Sequence, residues 1–312
     1  MQAFVFPGQG AQTVGMGQAL ASNYPAARAV FEEVDDALGQ KLSALIWEGD
    51  IETLTLTANA QPALMATSLA ALHALKAEGV TLNTAAFVAG HSLGEYSALA
   101  AAGAISLADT ARLLRIRGTA MQEAVPVGVG AMAAILGLDF ATVTEVAKAA
   151  AQGEVCQAAN DNDPGQVVVS GNRAAVERAL NLAEEAGAKR ALLLPVSAPF
   201  HCILMEPAAD RMASALMDVN ISTPVLPLVA NVRASAVSDP AVIRSLLIEQ
   251  VTGAVRWRES VMYLASQGVT EVWEIGAGKA LSGMIRRIDR TITCKTIGTP
   301  EDIAKALEVP TE

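Results

Sequence analysis

The chain has 312 residues, 52% of them hydrophobic and 17% charged, and a net charge of −10. Such a composition supports a large core and excludes an intrinsically disordered chain. Its acidity excludes the basic stripe of a nucleic-acid binder and disfavours adsorption to anionic membranes. No apolar run is long enough to span a membrane, and the stretch 98–107 is interrupted by Gly103 and Ser106. The N-terminus, MQAFVFPGQG, has no basic region and only a four-residue apolar run, so no signal peptide is expected. The three cysteines, Cys156, Cys202 and Cys294, have no motif spacing. They are expected to be free thiols in a reducing cytoplasm.

In chain order, the opening AFVF run ends at Pro7-Gly8 and reads as a short buried strand. Helical spacing follows over 25–38, with Pro25 suited to a first turn, and again over 61–76. Residues 86–90 form a short apolar strand with a small-residue helix directly after it. Ser106 and Asp109 have capping-box spacing and open a helix that carries Arg112, Arg115 and Arg117 and is expected to stop at Gly118.

The middle reads as a strand over 130–136, a helix over 140–151, and strands over 155–159 and 166–170 around a turn at 160–165. A helix over 173–186 and a strand over 189–196 complete the set. That β-α-β-β-α-β order is the split βαβ of ferredoxin-like modules. Strands near 226–232, 269–275 and 291–297 then alternate with helices, which predicts a mainly parallel sheet with helices on both faces. The expected organisation is a large α/β unit over 1–127 and 197–312, interrupted by a small unit over 128–196.

Two Gly-rich motifs fail. Gly8-Gln9-Gly10 follows a strand, but the dinucleotide fingerprint needs glycine where Thr13 stands. Gly278-Lys279 lacks the upstream glycine of a phosphate loop, since position 273 is Trp273, and Ala280 stands where Ser or Thr is required. No histidine pair and no CxxC has metal spacing, so no metal site is expected.

Gly90-His91-Ser92-Leu93-Gly94 matches G-x-S-x-G between a strand and a helix, the setting of a nucleophile elbow. Ser92 then needs a base. Of the three histidines, His91 is adjacent and points away from Ser92 at a sharp turn, and His73 lies inside an amphipathic helix. His201 remains, after a strand and before a helix, with Cys202 beside it as a buried filler. No acidic partner is recognisable, so the residues give a Ser–His dyad oriented by a backbone carbonyl.

Several separated segments together carry a resemblance over essentially the full length. They are Phe6-Pro7-Gly8-Gln9-Gly10-Ala11-Gln12, Gly90-His91-Ser92-Leu93-Gly94-Glu95, Arg117-Gly118 with Met121-Gln122-Glu123-Ala124-Val125, Gly165-Gln166-Val167-Val168-Val169-Ser170-Gly171, Pro199-Phe200-His201-Cys202 and Glu274-Ile275-Gly276. In these the chain resembles the malonyl-CoA:acyl carrier protein transacylases of bacterial type II fatty acid synthesis. The resemblance implies an α/β-hydrolase-like large subdomain with an inserted ferredoxin-like small one. It also implies a ping-pong acyltransferase acting through a Ser92 acyl-enzyme, with no bound cofactor and with malonyl-CoA and phosphopantetheinylated acyl carrier protein as substrates.

By the same resemblance, backbone N–H groups of Gln9 and Leu93 form the oxyanion hole, Gln250 orients His201 through its backbone, and Arg117 binds the malonyl carboxylate. Residue type alone does not choose among Arg112, Arg115 and Arg117; the first and second read as surface cations. The family also implies a monomer. Acyl carrier proteins are acidic, so docking needs local cations, for which the doublets Lys189-Arg190 and Arg286-Arg287 are candidates. Rival readings are a serine hydrolase or thioesterase on the same elbow, a malonyl transferase of polyketide synthesis or malonate decarboxylase, and a non-catalytic carrier-protein scaffold.

Overall fold

The computed structural model describes residues 1–196 and 198–308. Ser197, at the expected boundary between the two units, and residues 309–312 lie outside the described residues. Strand β1 (Gln2–Phe6) leads through α1 (Gln18–Asn23), α2 (Pro25–Leu38), α3 (Leu42–Glu48) and α4 (Ile51–Thr55) to the long α5 (Thr57–Ala77). Next come β2 (Ala85–Gly90), α6 (Gly94–Ala101) and α7 (Leu107–Glu123). The middle of the chain holds β3 (Gly130–Leu136), α8 (Phe140–Ala151), β4 (Cys156–Asp163), β5 (Gln166–Asn172), α9 (Arg173–Glu185) and β6 (Arg190–Leu193). Then follow α10 (Glu206–Met217), β7 (Leu228–Ala230), β8 (Ser235–Val237), α11 (Pro240–Thr252) and α12 (Trp257–Ser266). The described chain ends with β9 (Glu271–Ile275), α13 (Ala280–Ile288), β10 (Thr293–Ile297) and α14 (Pro300–Leu307).

The strands make two sheets. One is six-stranded, in the order β10-β9-β1-β2-β7-β8, and parallel except for β8. Its central strands are buried on both faces, as parallel sheets must be. Along β1, Phe4 and Phe6 enter the core beneath α2, α5 and α7, while Ala3 and Val5 enter the core that holds Trp257, Val261 and Leu264 of α12. The other sheet is antiparallel, in the order β4-β5-β3-β6. Alternation along β3 gives that sheet two different faces. Ala131, Ala133 and Ile135 pack under α8 and α9, whereas Met132 and Ala134 line a cleft against the larger sheet.

The structure departs from several local expectations. Helix α7 does not stop at Gly118 but continues to Glu123. Gly118 is there for close approach: a Cβ would lie 2.5 Å from the Thr57 carbonyl oxygen and 2.7 Å from the Ala58 Cα. Second, α5 begins at Thr57, four residues before the expected start, with Pro62 inside it. Proline has no N–H for the Ala58 carbonyl four residues back. Arg115 on α7 supplies that donor at 2.7 Å, so Arg115 is half-buried and ties two helices together rather than lying on the surface. Arg112 is exposed and paired with Asp109, as a surface cation would be.

Third, residues 160–163 are strand rather than turn. Three of their buried side chains are held, Asp161 by Arg258, Asp163 by Arg287 and Asn162 by His91, and Asp161 N–H donates to the Val255 carbonyl. These partners override the turn preference of Asn and Asp and leave only Pro164-Gly165 to turn the chain. Fourth, the Ser106 cap is one-sided. Ser106 Oγ accepts from Asp109 N–H at 3.0 Å, but the Asp109 carboxylate takes the Ser106 hydroxyl rather than a backbone donor.

Gly118→Ala tests the first correction. In an exposed helix this change stabilises by up to about 1 kcal/mol. Here the new methyl meets backbone that cannot move aside, and destabilisation of about 1–3 kcal/mol is expected, read as a lowered urea midpoint.

Candidate active site

The turn from β2 into α6 is built around Ser92, whose φ of 53° lies in the left-handed region. The flanking glycines make this turn possible. A Cβ on Gly90 would lie 2.0 Å from the Gly94 carbonyl, and one on Gly94 would lie 2.2 Å from the Phe6 carbonyl oxygen. No residue with a side chain fits either place. The turn is strapped from the opposite side by Asn231, just after β7. Its Oδ1 accepts from Ser92 N–H at 2.8 Å and its Nδ2 donates to the Gly90 carbonyl at 2.7 Å.

His201 meets Ser92 here, with 2.8 Å between Ser92 Oγ and His201 Nε2. It stands in a left-handed turn, φ 59°, before α10, not directly at the end of a strand, since β6 stops at Leu193. Its Nδ1 lies 2.9 Å from the Gln250 backbone carbonyl on α11. A carbonyl only accepts, so Nδ1 carries the proton and Nε2 is left to accept from the serine hydroxyl. Burial, and then the Arg117 charge, push the His201 pKa down to about 3. The imidazole is therefore neutral at physiological pH. Among the described residues no carboxylate touches it; the Gln250 carbonyl fixes its tautomer.

Arg117 is 1% exposed and points into the same site from α7. One terminal nitrogen donates to Ser92 Oγ at 3.1 Å and to Gln250 Oε1 at 2.8 Å; the other donates to Gln61 Oε1 at 2.7 Å. Its guanidinium carbon is 5.7 Å from the centre of the Tyr96 ring. Beyond it, buried Glu95 accepts from Gln250 Nε2 at 2.6 Å. Burial raises the Glu95 pKa to about 7, against the opposing effects of Gln250, Asn231 N–H and Arg117.

Ser92, His201, Arg117, Gln9 and Leu93 line one cleft of about 510 Å³ between the two sheets, together with Met132, Val168 and Met284. Among the described residues, neither the Gln9 nor the Leu93 backbone N–H has an acceptor. Leu93 is the N-cap residue of α6, whose dipole favours negative charge at that end.

The side chains of the remaining histidines, Cys202 and the basic doublets make no contact with the Ser92 hydroxyl among the described residues. His91 bonds Asn162 Oδ1 at 2.9 Å and faces the Trp257 ring rather than Ser92, and His73 is half-buried on α5. Cys202 is fully buried, with its thiol toward the Pro199 carbonyl. Lys189 and Arg190 are exposed at the start of β6. Arg286 and Arg287 are exposed at the end of α13, and Arg287 is already paired with Asp163. Sequence reasoning missed Asn231 and Gln61 and gave Glu95 no role. For Asn231 a signal was present, a polar side chain directly after an apolar parallel strand, where α/β sites gather.

The Acyl transferase domain family matches residues 3–294 of this chain. A malonyl CoA-acyl carrier protein transacylase of Bacillus subtilis is 48% identical over 307 residues, covering 98% of this chain and 96% of its own. The crystal structure of an acyl-carrier-protein S-malonyltransferase from Bartonella henselae superposes with a TM-score of 0.96 at 56% identity, over 98% of both chains. A malonyl-transacylase in complex with its type II PKS acyl-carrier protein superposes with a TM-score of 0.95 at 43% identity, again over 98% of both chains.

Proposed function

Since this chain belongs to the acyl transferase family, we propose that it carries a malonyl group from coenzyme A to the phosphopantetheine thiol of an acyl carrier protein. In the first half-reaction Ser92 Oγ attacks the malonyl thioester carbonyl and passes its proton to His201 Nε2. The oxyanion forms against the Gln9 and Leu93 N–H groups, each donor contributing about 3–4 kcal/mol to the barrier reduction. Collapse breaks the C–S bond, and the departing CoA sulfur takes the proton from His201. In the second half the carrier thiol gives its proton to His201 and attacks the Ser92 ester, and the serine leaves with that proton. The balance needs no cofactor and no metal.

The observation that carries this reading is the guanidinium 3.1 Å from the nucleophile. A hydrolase of neutral esters has no use for a buried cation in its acyl pocket. An acyl group ending in a carboxylate has one, because the Arg117 fork can take both its oxygens. The malonyl carboxylate also offsets the charge that helps to depress His201, so the correct substrate makes its own general base stronger.

The test supplies malonyl-CoA with and without phosphopantetheinylated carrier protein and follows intact masses. One malonyl should accumulate on the enzyme and discharge when carrier is added. Rapid malonate release with no acylated carrier would mean a hydrolase instead.

We assign the reaction to fatty acid synthesis in the cytoplasm, by a monomer. Among the described residues no helix is long and apolar enough to cross a membrane. Docking of the acidic carrier is assigned to Lys189, Arg190, Arg286 and Arg287. Met284, on the same helix as the second doublet, lines the cleft. Arg286 is expected to matter more than Arg287, whose charge is already matched by Asp163. Charge reversal at Arg286 should raise the carrier KM several-fold and leave the malonyl-CoA KM unchanged.

A further inference from the structure

Behind the Arg117 guanidinium stands a carboxylate that the mechanism above does not use. The Gln250 side-chain amide bridges the two groups: its Oε1 accepts from Arg117 at 2.8 Å, and its Nε2 donates to Glu95 Oε2 at 2.6 Å. The same Nε2 donates to the Ser92 carbonyl at 3.0 Å, so the bridge is anchored to the elbow itself. Glu95 is 1% exposed. Its two oxygens differ. Oε2 receives Gln250 and the Asn231 N–H, while Oε1 is buried with no hydrogen-bond partner among the described residues. A proton arriving on Oε1 therefore breaks no hydrogen bond.

Arg117 is the charged side chain facing Glu95. Helix α6 itself adds the Tyr96 phenol, and α11 and the residue after β7 add the neutral amides of Gln250 and Asn231. Among the described residues, the other elements packed on α6 bring no competing charge. Strands β1, β2 and β7 contain no titratable residue, the buried side chains of α5 are uncharged, and Arg117 is the charged residue among those buried on α7. His201 lies on the far side of Ser92 and is neutral.

We propose that Glu95 is a positioning residue that sets the acyl specificity: its carboxylate is the counter-charge of Arg117 in the empty site, and it takes up a proton from solvent when an acyl carboxylate takes its place. The physical reason is charge balance. Arg117 with Glu95 makes a buried pair; adding a substrate carboxylate gives two anions to one buried cation. Removing one negative charge restores neutrality at low cost, since burial already holds Glu95 near its titration point at about pH 7. A neutral acyl group leaves the original pair intact and draws no proton.

This rests on the malonyl reading, and the test separates the two. Malonyl-CoA and acetyl-CoA are bound to the Ser92→Ala protein, which cannot be acylated, and calorimetry at pH 8 in two buffers of different ionisation enthalpy counts the protons taken up. Acetyl-CoA carries the same phosphates and so subtracts any protonation of the nucleotide. Malonyl-CoA should take up roughly half a proton more than acetyl-CoA, and its affinity should fall roughly fivefold from pH 7 to 8.5. In Ser92→Ala/Glu95→Gln the excess should vanish and the affinity become flat with pH. An equal uptake for the two thioesters in Ser92→Ala, or an excess that survives Glu95→Gln, overturns the inference while leaving malonyl transfer standing. No preference of the site for malonyl-CoA over acetyl-CoA would overturn both. The comparison of the two thioesters needs only the Ser92→Ala protein, so equal uptake overturns the inference even if the double variant does not fold.

Discussion

Ser92→Ala should show no malonyl adduct by intact mass after brief mixing with malonyl-CoA, and transfer to carrier protein should fall by on the order of 10⁴–10⁶-fold, the scale seen when a serine enzyme loses its nucleophile. The size follows from what remains. In the proposed mechanism the Gln9 and Leu93 N–H groups and the neutral His201 are unchanged, but no atom is left to hold the acyl group between two thiols. The protein itself should fold normally. Ser92 already adopts φ 53°, and alanine adds no atom to that turn. The strap from Asn231 reaches the backbone N–H rather than the hydroxyl, so it survives the substitution. A full malonyl adduct on the alanine variant would place the nucleophile at another residue and remove the basis of the mechanism.

How far the sequence discloses this site depends on how local each interaction is. The elbow is readable because its constraints fall within five residues: the glycines at 90 and 94 exist to avoid the contacts that a Cβ would make at 2.0 and 2.2 Å. His201 follows by elimination among three histidines, and the structure brings it to Ser92 across 109 residues of sequence. Arg117 is different. It shares a helix with Arg112 and Arg115, and helical spacing cannot say which arginine turns inward; only the resemblance singles it out. What decides the matter is α5, whose Gln61 holds Arg117 and whose Ala58 carbonyl, left free by Pro62, captures Arg115. Those contacts join positions 56 and 57 residues apart, and no local pattern encodes them. Residues 160–163 mislead for the same reason, because ion pairs with Arg258 and Arg287 outweigh a turn-forming composition.

Arg117→Ala should divide the two thioesters in opposite directions. For malonyl-CoA the variant loses the partner of a buried carboxylate, a loss of about 2–5 kcal/mol, which corresponds to roughly 30- to several-thousand-fold in kcat/KM. For acetyl-CoA nothing comparable is lost, and one obstacle goes. Arg117 is, after burial, the next cause that holds His201 down, so its removal leaves a stronger base for a substrate that cannot neutralise the guanidinium itself. Acetyl transfer should therefore hold steady or rise while malonyl transfer collapses. The variant also strands Gln61 Oε1 and Gln250 Oε1, which both accept from Arg117, so acetyl transfer doubles as the check that the elbow has kept its shape. Arg117→Lys should fall between, since an ammonium restores the charge but not the two-pronged fit to a carboxylate. Rates of acyl-enzyme formation with each thioester decide the question. A malonyl-to-acetyl ratio unchanged in Arg117→Ala would mean that the carboxylate is held by some other group, and the guanidinium beside Ser92 would then serve only to order the elbow.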